Sequence, residues 1–144
     1  MQKLDPHTLF SIFEQGDEQV YEEHGQEEVL KNPFVLMNMV MRGIENYQLM
    51  CLMYLKNYPK EFKKVEPTIK YKYYTKLYNY LLRINLKSIE TIYTVGDSFE
   101  KKGVGEALNQ LLAYFESIEH YEKCAKIVHY IQMLVLEEAR NLIK

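Results

Sequence analysis

The last forty residues limit the fold most tightly, because their apolar positions repeat at a helical period and break once. Val104, Ala107, Leu108, Leu111, Leu112, Phe115 and Ile118 fall at the i, i+3, i+4, i+7, i+8 spacing of one helix face. Beyond Ser117-Ile118-Glu119-His120, Cys124, Val128, Ile131, Val135, Ala139 and Leu142 form a second stripe, widened by Ile127, Tyr130 and Leu134. The pattern predicts a C-terminal helical hairpin that turns at 117–120. A stripe as broad as the second has neighbours on two sides, which makes that helix a central post.

The rest of the chain reads the same way. Asp5-Pro6 is a helix start, with Asp5 as cap and Pro6 at the first helical position, and Gly16 stops the short helix it opens. Leu9, Phe10 and Phe13 make that helix too apolar for a free tail, so they are the anchors of a docking arm. From Asp17 to Glu28 six of twelve residues are acidic and none is basic, a solvated connector. Asn32-Pro33 repeats the cap signal and opens a helix to about residue 57, its inner face marked by Met37, Val40, Met41, Ile44, Tyr47, Cys51, Tyr54 and Tyr58. Pro59 ends it. Glu66-Pro67 is expected to start another helix, running to about Ile84, with Lys63 and Lys64 in the loop before it. Asn85 and Ser88 signal a break, Gly96 a close helix approach, and Gly103 the stop of a further helix. No segment alternates at the period of a strand. The expectation is a single all-α domain of four to six helices, residues 31–144, packed as a bundle or array. Residues 1–30 form its N-terminal acidic arm.

Charge is segregated along the chain. Residues 1–30 carry one lysine against eight acids, and residues 56–87 carry nine bases against Glu61 and Glu66. In the basic stretch Lys60, Lys63, Lys64, Lys70, Lys72 and Lys76 are interleaved with Tyr58, Tyr71, Tyr74 and Tyr78. Lysines neutralise phosphates and tyrosines stack on unpaired bases, so the stretch suits nucleic acid; a solvated helix face has the same composition. It equally suits an acidic partner, including the chain's own arm or a neighbour's. Five of the seven methionines lie on the helix after Asn32, and Met39, Met50 and Met53 are candidates for an adaptable contact surface.

Chemistry finds little footing. His7, His24, His120 and His129 are scattered, and none completes a Glu-x-x-His pattern. His129, among apolar residues, reads as a hydrogen-bonded core histidine, and Cys51 and Cys124 as buried free thiols on apolar stripes. No phosphate-binding glycine loop or zinc spacing appears, so no cofactor or metal is expected and the chain reads as no enzyme. The run Tyr121-Glu122-Lys123-Cys124-Ala125-Lys126-Ile127 resembles the second helix of UVR-type hairpins and, more loosely, of tetratricopeptide hairpins, both used for protein contacts. Where a UVR hairpin continues with Arg-Asp, Val128-His129 stands here.

The sequence therefore points to a non-enzymatic helical interaction or assembly protein, a structural or accessory subunit of a larger complex with protein partners, itself a homo- or hetero-oligomer. The alternative is a nucleic-acid-binding accessory protein using residues 56–87. Fifteen lysines against three arginines suggest an AT-rich coding genome, which fits a phage or viral particle. No membrane span or signal-peptide core is visible, so the expected location is the cytoplasm or such a particle.

Overall fold

Asn32 opens the first helix as its sequence requires. Its side-chain oxygen accepts from the Phe34 amide at 2.8 Å and from that of Val35 at 3.4 Å, and Pro33 occupies the first helical position, where no amide is needed. The structure is a computed structural model and describes residues 31–88, 91, 92, 95 and 101–135. These contain four helices: α1 (Pro33–Asn57), α2 (Pro59–Leu82), α3 (Lys101–Ser117) and α4 (Tyr121–Leu134). No described residue is in a strand, and no described helix is long and apolar enough to cross a membrane. The acidic arm with Leu9, Phe10 and Phe13 lies outside the described residues, as do Gly96 and the end of the chain after Val135.

A single residue, Tyr58, separates α1 from α2. Its amide closes α1 on the Tyr54 carbonyl at 2.7 Å, and its own carbonyl receives the Phe62 amide of α2 at 2.9 Å. The chain reverses there, so α1 and α2 run antiparallel: Tyr54 stacks on Phe62 at 5.9 Å, Tyr47 on Tyr73 at 5.2 Å, and Gly43 faces Leu77. At Gly43 a β-carbon would stand 2.4 Å from a Leu77 methyl, so the absence of a side chain sets how closely the two helices approach. α3 runs beside α1 in the same direction, with Met41 against Gly103 and the Gln48 side-chain amide bonded to that of Gln110. α4 folds back on α3 and brings Val135 to Gly105.

The turn between α3 and α4 falls where the stripe breaks. The Glu119 amide bonds the Glu116 carbonyl at 3.0 Å and the His120 amide reaches the Phe115 carbonyl at 2.9 Å, the paired bonds of a Schellman stop. Glu119 holds the left-handed position at φ 61°, and the His120 ring stacks on Phe115 at 6.1 Å. Phe62, Phe115, Leu36, Met37, Ile69, Leu81, Leu108 and Leu111 are almost wholly buried between the two hairpins.

Two boundaries differ from the sequence reading. α2 begins at Pro59 and passes through Pro67, so Lys63 and Lys64 are on the helix rather than in a loop. Proline's fixed φ suits a helix; its cost is one lost amide and a clash with the carbonyl four residues back. Pro67 is on the exposed side, while Phe62, Val65 and Ile69 continue a buried face through it. Gly103 does not stop a helix but lies within α3, packed under Met41. The break at Asn85 and Ser88 stands as expected: Asn85 accepts from the Lys87 amide, and Ser88 caps the turn that carries Thr91 and Ile92.

Candidate functional site

The outer face of α1 exposes what a helix normally hides. Leu49, Leu52 and Met53, at i, i+3 and i+4, are 65%, 66% and 49% exposed, and Leu55 adds to the same end. They share one helix side because 3.6 residues make a turn. Single exposed leucines are ordinary; a contiguous set on one turn and a half is the pattern of a contact surface. Leu52 also lines the cleft beside α1, where Gln48, Cys51, Glu66, Gln110 and Ser117 enclose about 710 Å³. The exposed leucines therefore continue into a groove between the parallel α1 and α3.

The wall of that groove holds a polar cluster that sequence reading did not assemble. The Tyr47 hydroxyl donates to Glu66 Oε1 at 3.0 Å, and Lys70 Nζ lies 5.7 Å from the Tyr74 ring centre and 5.3 Å from that of Tyr114. Burial, with smaller contributions from Cys51 and Glu66, pushes the Tyr47 hydroxyl far above the ordinary tyrosine range, and burial raises Tyr74 to about 12. Burial likewise pushes up the thiols of Cys51 and Cys124. Both stay protonated near neutral pH, which is the opposite of nucleophile activation. Spacing could not reveal the cluster, because its members come from three helices.

The lysine–tyrosine stretch divides in two. Lys60, Lys63 and Lys64 are exposed near the start of α2, whereas Lys70, Lys72 and Lys76 are half-buried. Lys76 lies over the Tyr80 ring at 5.9 Å. Tyr74 and Tyr78 are in the core, and of the four interleaved tyrosines only Tyr71 presents an exposed ring. The methionines divide too. Met39, read as a contact residue, is 5% exposed and belongs to the core, Met50 is half-buried, and Met53 remains on the surface.

A second cleft, about 590 Å³, opens where the end of α2 meets the middle of α4. Its wall is fixed by the Tyr130 hydroxyl, which donates to the Ile84 carbonyl at 2.8 Å in a buried bond. Leu82, Ile84 and Leu86 give it an apolar floor. Arg83, Lys87, Lys126 and His129 surround that floor, and among the described residues no carboxylate lines it. His129, read as a core histidine, is exposed on α4: it falls on the outer side of a stripe whose buried members are Cys124, Ile127, Tyr130 and Leu134. Among the described residues no three of His, Cys, Asp and Glu stand together as metal ligands would.

Compared with known protein families, with curated proteins and with solved structures, the chain matches none.

Proposed function

We propose that this chain is a non-enzymatic helical interaction protein, a structural or accessory subunit of a larger protein complex. Its four described helices pack as a bundle in this reading, with residues 1–30 as an added docking arm. The partner presents an apolar helix face to the outer side of α1, where Leu49, Leu52 and Met53 receive it and the groove past Leu52 takes a side chain. The observation that carries the reading is the exposure of these three adjacent residues, about two thirds for each leucine. Covering them returns about 1–2 kcal/mol per side chain at roughly 25 cal/mol per Å². That is enough to seat a partner and too little to hold one without polar contacts around it. Lys56 and Lys60, exposed at the same end, supply such contacts to an acidic rim. Fifteen lysines against three arginines support a phage or viral particle as its setting.

The test is Leu49→Asp with Leu52→Asp in the full chain. Both positions are exposed, so the circular dichroism spectrum should not change. The complex recovered by crosslinking from the native source, or the oligomer seen by light scattering, should be lost. A partner that the double variant keeps sinks the proposal. The nucleic-acid alternative has weaker support, because Tyr74 and Tyr78 are buried and unable to stack on bases. A binding titration that steepens at low salt and fails with Lys60, Lys63 and Lys64 changed to glutamate would favour it instead.

A further inference from the structure

We propose that the acidic segment 17–28 of this same chain occupies the cleft between the end of α2 and α4. Arg83, Lys87, Lys126 and His129 are exposed around the cleft, and none of them pairs with a carboxylate among the described residues. Among the described residues the one aromatic contact in the set is that of Arg83, 5.5 Å over the Tyr80 ring, which leaves the guanidinium edge open. Four cationic or protonatable groups around an apolar floor call for a ligand with an apolar centre and acidic flanks. Residues 17–28 have that order: Asp17 and Glu18, then Val20 and Tyr21, then Glu22, Glu23, Glu27 and Glu28.

The path of the chain also leads there. With Gly43 facing Leu77 and Tyr47 facing Tyr73, the antiparallel register of α1 and α2 carries the start of α1 to the end of α2, whose Leu82 lines the cleft. The described chain therefore begins beside the cleft. Tyr21 and Asn32 are eleven positions apart, a span of up to about 36 Å when extended, so the segment reaches the cleft without strain. A tether this short gives an effective concentration on the order of millimolar, so even a weak site stays filled. The segment would neutralise the basic cleft and fix the direction in which Leu9, Phe10 and Phe13 leave the domain. This inference does not rest on the partner face of α1, which lies toward the other end of that helix.

The experiment is hydrogen–deuterium exchange on the full-length protein at low salt. Segment 17–28 should exchange at least ten-fold more slowly than an unstructured chain. Adding salt should release it, as should Lys87→Glu with Lys126→Glu, both at exposed positions, with the circular dichroism spectrum unchanged. Glu22→Lys with Glu23→Lys in that background should restore protection, which a merely structural role for the lysines would not do. Unprotected amides in the wild type, or protection indifferent to the charge reversal, overturns the proposal. So does protection that disappears on dilution, since it would assign the occupant to a second copy.

Discussion

Replacing Gly43 by alanine sets two effects of known size against each other, and the structure decides the sign. Glycine inside a helix costs about 0.8–1.0 kcal/mol relative to alanine, so on propensity alone Gly43→Ala should stabilise α1. The new methyl, however, would lie 2.4 Å from one Leu77 methyl and 3.2 Å from the other. Carbon atoms in contact sit at roughly 3.5–4.0 Å, so the closer pair overlaps by more than 1 Å. Leu77 is 3% exposed and hemmed in by the α1–α2 interface, so it has little room to turn away. Overpacking of this kind costs about 1–3 kcal/mol, and the net should be destabilisation by roughly 0–2 kcal/mol. Leu77→Ala should itself cost about 2–5 kcal/mol by leaving a cavity. In that background the obstacle is gone, and Gly43→Ala should turn stabilising by up to about 1 kcal/mol. Urea unfolding of all four proteins, with slopes unchanged, gives the cycle directly, and a coupling of about 1–3 kcal/mol is expected. Equal effects of Gly43→Ala with and without Leu77 would refute the claim that this contact sets the helix spacing.

Glu119→Gly should raise stability by about 0.5–1 kcal/mol, since φ 61° penalises a side chain that glycine lacks; a lower urea midpoint would contradict the turn geometry. Tyr130→Phe should cost about 1–2 kcal/mol by stranding the buried Ile84 carbonyl, and an unchanged midpoint would show the bond idle. Alkaline stability should fall through a defined window. Tyr74 is raised to about 12 in the folded protein, so its contribution is complete below the unfolded value near 10 and is lost as pH climbs through 12. At 4% exposure it is poorly screened, and the loss is on the order of 2–3 kcal/mol. Tyr74→Phe should flatten that slope in urea titrations between those limits, and Tyr47→Phe, raised in the same direction, should flatten it further.

Local chemistry was legible in the sequence and spatial neighbourhood was not. Asn32-Pro33, the stop at Pro59, the reversal at 117–120 and the break at Asn85 each depend on a few adjacent residues, and each appears where expected. Pro67 misled because a proline signals a boundary only when burial does not override it; Phe62 and Ile69 lie on one buried face across it. Gly103 misled because a glycine is tolerated inside a helix, here where Met41 packs close over it. α1 is apolar around much of its circumference, so its periodicity does not separate Met39, which is buried, from Leu49 and Leu52, which are not. Both clefts were beyond reach for a plainer reason. One joins Ile84 to Tyr130 and the other Gln48 to Gln110, pairs far apart in the chain that only packing brings together.

Pro67 has no amide to offer Lys63, so the ladder of α2 lacks a rung two turns from its start. Above that gap, the Tyr58 reversal is clamped mainly by Tyr54 against Phe62. The end of the hairpin that bears the exposed leucines is thus held by one backbone bond fewer than an unbroken helix would give it, and hydrogen exchange should find it the first part of α2 to open. On the proposed role, the exposed leucines would therefore sit on the part of the hairpin that yields most easily to a partner.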